Sequence, residues 1–370
     1  ISGGTVIATG GRKAAGIGGG SEGAAGTFST GASGTAFIVA SGIADKNSQS
    51  EWNGIIFDGS AGALYGVSTL SMDAEIPSGY TLTIKAGETL TIDSGKTLTI
   101  AEGGTLVNNG TLTNNGILAN SGTLTNTATY DGTGTLTGAG TVNGIDFKLG
   151  SLTIKGAIPD GNYACNETTH TLTILSDKPL TISGTTTADK IVVASGVSAN
   201  ITLDSVSIDV SGISDACAFD MTGATVNLVL KDATTNALKS SRAKAALLVP
   251  TGATLAISGQ GTLEAIGNNQ AAGIGGGWEV SCGKVTITEG TVIATADDEA
   301  AGIGGGGRGG AGGDITISGG TVIATGGINA AGIGGGYQGR AGDITISGGT
   351  VIATGGRKAA GIGGGSEGAA

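Results

Sequence analysis

The sequence predicts an all-β chain, a single-stranded right-handed parallel β-helix (a β-solenoid) of about 18–30 residues per coil. Three observations predict it. Units of near-constant length recur along most of the chain. Each unit holds short segments in which apolar and polar residues alternate, and glycine, at 75 of 370 positions, separates them. Units this short cannot bury an apolar face alone and must stack on one another.

The C-terminal units are the most regular. Val285-Thr-Ile-Thr leads to Thr291-Val-Ile-Ala-Thr and then to Ala300-Ala-Gly-Ile-Gly-Gly-Gly306. Ile315-Thr-Ile-Ser and Ile344-Thr-Ile-Ser open two further copies, with starts 30 and then 29 residues apart. An earlier copy runs from Leu255-Ala-Ile-Ser to Gly277. A weaker one starts at Val226, with Ala245-Ala-Leu-Leu in the Ala-Ala-Gly-Ile slot. Alternation sends every second side chain to one face, so Ile315, Ile317, Val322, Ala324 and Ile333 are expected inside. Glycine at this density disfavours helix by up to about 1 kcal/mol per position. Residues 236–248 carry helix propensity, but their alignment with a strand slot outweighs it.

The middle of the chain has a shorter period. Thr81-Leu-Thr-Ile recurs at Thr89 and at Thr97, a step of eight, and the starts at Thr105, Thr111, Ile117 and Thr123 follow at a step of six. Three steps per turn give a triangular coil that narrows where the step shortens, from twenty-four to eighteen per turn. Asn108, Asn109, Asn114, Asn115 and Asn120 are expected at corners, where Asn tolerates the left-handed region and forms ladders. The chain thus divides into residues 1–25, irregular coils over 26–80, short-period coils over 81–144, irregular coils over 145–200 and long coils over 201–370. All are expected to form one continuous solenoid.

Residues 1–25 match residues 346–370 at every position, loops included. Neighbouring coils keep the framework and change the loops, so this identity points to a second period of 345 residues and a chain taken from a tandem array.

Through its Thr-Leu-Thr-Ile runs and its Ala-Ala-Gly-Ile-Gly-Gly-Gly coils, the sequence resembles repetitive parallel β-helix proteins of bacterial cell surfaces, many of them called adhesins. The resemblance implies an extracellular, cell-surface setting and no catalytic residue. The expected role is a non-catalytic segment of a filament, stalk or surface fibre that associates end to end. The alternative is an adhesin domain binding glycans or other cell-surface polymers through its corner loops.

Composition narrows the chemistry. A net charge of −11 opposes nucleic acid as a partner. No stretch is long and apolar enough to span a bilayer. One histidine, His170, and three scattered cysteines, Cys165, Cys217 and Cys282, give no disulfide framework and no His-based zinc site or triad. No metal and no cofactor is expected.

Among individual residues, Trp278 and Tyr337 follow the triple glycine at the same corner of two coils, where Gly307 and Ser366 stand in others. About 10 Å apart on strand spacing, they are the candidate ligand contacts, since aromatic faces stack on sugars. Asp297, Asp298 and Glu299 form an acidic loop, but the repeated calcium motif of β-helices is lacking. Asp314 and Asp343 share a slot with Lys284, which is placed to pair with Asp314. Asp204, Asp209, Asp215 and Asp220 form the densest acidic set, with no evident basic partner. Rows of Thr raise an ice-binding face, which the changing coil size argues against. Asn166-Glu-Thr168 matches a glycosylation sequon.

Overall fold

A computed structural model describes residues 1, 4–11, 14–18, 28–30, 36–44, 49, 52–132, 134–157 and 161–368. They contain many short strands and no α-helix. They fall into two compact units, Ile1–Ile145 with Lys155–Asp160, and Asp146–Ile154 with Gly161–Ala370.

In the first unit, Thr81–Ile84, Thr89–Ile92 and Thr97–Ile100 each bury their Leu and Ile and half-expose both Thr. Every third strand pairs in parallel, which makes three sides. On the first side Thr81 faces Thr105, and Thr105 faces Thr123. On the second Thr89 faces Thr111, and Thr111 faces Thr129. On the third Thr97 faces Ile117, and Ile117 faces Thr135. The numbering interval between facing partners shrinks on each side in turn, and from Thr105 onward it is the same on all three. The coil therefore narrows side by side as the sequence step falls from eight to six.

The asparagines depart from expectation. Asn108, Asn114 and Asn120 end their strands with buried side chains. None of the five predicted corner asparagines has a positive φ. Their role is to satisfy backbone: the side-chain amides donate to Thr129 O at 2.7 Å, Thr135 O at 3.0 Å and Thr141 O at 2.9 Å. Buried carbonyls at a tight corner need such donors.

The second unit also has three faces. A fourteen-stranded sheet supplies two of them, joined by the long strand Ser198–Asp209. Its first half pairs with Thr225–Leu230 and its end with Thr235–Arg242. Between the halves Ser205 sits at φ 60°, where the strand changes face. The third face begins with the four-residue strands Tyr163–Asn166, Thr171–Ile174 and Lys190–Val193 and continues in dipeptides: Phe219–Asp220, Leu247–Leu248, Ile274–Gly275, Ile303–Gly304, Ile333–Gly334 and Ile362–Gly363. Leu247 pairs with Ile274, so Ala245-Ala-Leu-Leu occupies the expected slot one residue out of the predicted register. Thr235–Arg242 is a strand rather than the start of a helix.

Glycine makes the third face possible. At Gly304, φ is 138° and an added Cβ would collide with Gly334 O of the next coil.

Among the described residues, three antiparallel strand pairings interrupt the parallel winding, besides one isolated antiparallel bridge between Pro250 and Cys282. The strand pairings are Gly54–Asp58 with Ala61–Tyr65, Phe147–Leu149 with Leu152–Lys155, and Tyr163–Asn166 with Thr171–Ile174. The three strand pairings all lie in the stretches where the sequence repeat is weakest. The first two turn on Gly-Ser pairs, with Gly59 at φ 69° and Gly150 at φ 53°, a two-residue hairpin signal. Near the first hairpin, aromatic packing replaces the stacked aliphatic rows, with Trp52 edge-on to Phe28 and to Tyr65, ring centres 5.1 Å apart in each case.

Candidate functional site

One corner of the second unit opens into a cleft of about 800 Å³. Its wall comes from successive coils: Ser211 to Asp215, Ser241 to Ala243, Gln270, Trp278 and Arg308. Tight turns present these residues, and Asp215, Ala243, Gln270 and Arg308 all have φ between 56° and 70°. That conformation is strained for L-residues, so these corners hold side chains where glycine would fit more easily.

Trp278 is 42% exposed. The Arg308 guanidinium carbon lies 5.9 Å from its ring centre, a cation–π distance. Arg308 also approaches Glu299, Nε to Oε2 3.9 Å, and Gln270 donates to the same carboxylate oxygen at 2.9 Å. Ser241 Oγ is buried and makes no hydrogen bond. A buried unpaired hydroxyl carries a desolvation cost, and here it borders the cleft. The wall therefore combines an aromatic face, two guanidinium groups (Arg242 and Arg308) and the Asp215 carboxylate.

Tyr337 is not part of this wall. Its backbone N–H donates to Glu299 O at 2.7 Å and its phenol to Glu367 Oε2 at 3.1 Å. That hydrogen bond pushes the phenol above its ordinary range. Between the two aromatics stands the Gly307–Arg308 corner, so Trp278 faces Arg308 and Tyr337 faces Glu367. Sequence position brought out the two aromatics; Asp215, Arg242, Ser241 and Arg308 were missed as cleft residues, and coil register was the signal that aligns them.

The carboxylates are engaged locally. Asp204 pairs with Lys231 at 2.6 Å and Asp209 with Lys239 at 3.6 Å. This corrects the expectation of no basic partner, because each lysine arrives from the next coil. Burial opposes the Asp209 charge, but hydrogen bonds from Ser211 and the nearby Lys239 outweigh it and hold the carboxyl below its usual range. Lys284 lies in register with Asp314, and Asp314 with Asp343, yet Lys284 and Asp314 form no ion pair. Asp297 Oδ1 accepts from Asp298 N at 2.8 Å. No three metal-ligating side chains converge among the described residues. Asn166 caps a hairpin turn, accepting from Thr168 N and Thr169 N.

His170 has a partner that sequence reasoning did not foresee. Its Nδ1 lies 3.0 Å from Oδ1 of the buried Asp189, whose other oxygen accepts from Thr186 Oγ1 at 2.8 Å. No nucleophilic hydroxyl is bonded to the imidazole among the described residues, so the pair orients a turn and completes no triad.

Five stretches, residues 1–21, 255–278, 285–307, 315–337 and 344–366, match a family model described as a β-helix repeat. These stretches are similar to β-helix repeats, and the parallel coils in which they lie have that fold. No curated protein and no solved structure matches it. The cleft lies on the coils that carry these repeats and on the two before them.

The outermost repeats expose what inner ones bury. Ile317 and Ile333 are fully buried, whereas their counterparts one coil on, Ile346 and Ile362, are 42% and 44% exposed. In the first unit Val6, Ala8 and Ile17 pack on the cluster of Phe28, Ile38, Ile43 and Trp52 and stay partly exposed.

Proposed function

We propose that the chain is a non-catalytic structural segment of a tandem-repeat extracellular bacterial filament or stalk, elongated by stacking coil on coil. One observation carries the reading. The same 25-residue sequence occurs at 1–25 and 346–370, and glycines described in both copies take similar backbone angles. Gly4 and Gly349 have φ of 85° and 80°, and Gly18 and Gly363 have 127° and 142°. Each copy is stacked on one side. The first supports Ala36–Ala40, with Val6 opposite Ile38, and the last rests on Thr321–Thr325, with Val351 opposite Val322. Between them the copies display both neighbours of one coil, as a 345-residue period requires. A continuous stack also pairs every strand edge except at its extremities.

Reading the parent coding sequence around this segment tests the proposal. The expected result is further material resembling residues 26–345 in the same frame, together with protease-accessible epitopes on intact cells. A parent without that period, or one confined to the cytoplasm, overturns it.

The cleft at Trp278 favours a second reading, an adhesin domain that holds a glycan through a corner loop. An exposed indole beside charged groups suits a sugar face. Binding on a glycan array that Trp278→Ala abolishes supports it, and an array with no hits removes it.

A further inference from the structure

We infer that the cleft beside Trp278 takes an acidic saccharide, with a sugar face on the indole and a carboxylate or sulfate on the Arg242 guanidinium. This deepens the glycan-binding reading above and rests on it. The lining supplies both parts of that recognition. Trp278 and Ile213 are 42% and 37% exposed, and both border the cleft. Large apolar side chains left open in a concave site offer a surface to the C–H face of a ring. Two of the chain's five arginines, Arg242 and Arg308, stand on the same wall against one carboxylate, Asp215. The lining is thus net positive on a chain of net charge −11, and a concave surface of that sign gathers anions.

The two guanidinium groups are not equivalent. Arg308 lies against the Trp278 ring and near Glu299, a carboxylate that also accepts from Gln270. Arg242 is exposed, and among the described residues it forms no ion pair. An unpaired guanidinium presents a planar fork of donors that fits two oxygens of a carboxylate or sulfate. A cationic ligand would meet two like charges here, and a neutral one would leave the fork unused. Asp215 likewise has no ion pair among the described residues, which leaves its carboxylate to accept a sugar hydroxyl. The wall is set before any ligand arrives. Trp278 N donates to Ala243 O at 3.1 Å, beside Arg242, and Gly307 N, beside Arg308, donates to Gln270 O at 2.9 Å. Ser241 N donates to Ala216 O at 3.0 Å, beside Asp215. Backbone bonds between coils thus fix the spacing of the corners that carry these side chains, and binding has only side chains to order.

Titration calorimetry of the full chain with trisaccharides of one linkage in three forms, neutral, uronate and sulfated, tests this. At least one acidic form should bind about tenfold or more tightly than the neutral form, and which one does so identifies the oxyanion. Arg242→Gln should erase that advantage and leave the neutral form's affinity and the thermal unfolding midpoint as they were, since Arg242 is exposed. Arg242→Lys keeps the charge and loses the fork, so part of the advantage survives. Trp278→Ala weakens all forms alike. Equal binding of the three forms, or an advantage that survives Arg242→Gln in full, overturns the inference and leaves the glycan reading standing. No binding by any form removes the glycan reading, and the inference with it.

Discussion

Ile84 and Asn108 occupy the same inward slot in consecutive coils, paired in register on one side of the first unit. The same exchange occurs on the other sides, Ile92 with Asn114 and Ile100 with Asn120. Each marks the point where the turn shortens. With the shorter step, the corner carbonyls of the next coil come within reach of a short amide side chain, and an isoleucine could neither reach nor satisfy them.

It follows that Asn108→Ala is costly. Asn108 donates to Asn126 Oδ1 at 2.6 Å and to Thr129 O at 2.7 Å, and accepts from Gly110 N at 3.1 Å. Truncation strands these partners at a buried corner, at about 1–3 kcal/mol for each buried group left unpaired. The urea midpoint of the variant should fall clearly below that of the parent chain. An unchanged midpoint would mean that water replaces the amide without loss.

The stacked glycines separate two effects that are usually mixed. Gly304 and Gly309 both have positive φ, 138° and 91°, but a Cβ on Gly304 would strike Gly334 O while one on Gly309 would meet nothing within 4 Å. Gly309→Ala should therefore cost only the backbone strain, about 1–2 kcal/mol. Gly304→Ala must also push two coils apart along the axis. Thermal unfolding of the two variants side by side checks the order, and equal losses would show that the coils yield without resistance.

Much of this was legible in the sequence, because a stacked repeat writes its register directly. The spacing of Thr81, Thr105 and Thr123 gives the turn length, and the slots of Ile315 and Ile344 give the core. Less legible were places where a partner arrives from the next coil. Lys231 meets Asp204 only once the offset of one coil between them is applied, and that offset belongs to a weak repeat. The hairpins at Gly59 and Gly150 carry a local signal, Gly-Ser between apolar runs, that leaves no trace in the coil period. The Trp278–Arg308 contact depends on turn geometry that no periodicity encodes.

The cysteines give the last prediction, a dependence on pH. Cys217 and Cys282 are buried, and burial pushes both thiols up to about 12 from an ordinary 9.0. The neutral thiol is the form the core accepts. Below the ordinary value both folded and unfolded chains keep these protons, and the stabilisation is fully present. Between that value and about 12 the unfolded chain releases protons that the folded chain retains, so stability declines as pH rises through the window. The double variant Cys217→Ala, Cys282→Ala lacks these two groups, and its unfolding midpoint should decline less between about pH 8 and 10 than the parent's. In the native chain at neutral pH a thiol reagent should label Cys165 alone, slowly, because burial raises its thiol too, and all three after unfolding. Parallel pH slopes for the two chains, or rapid labelling of Cys217 or Cys282, would place these side chains in water rather than in the core.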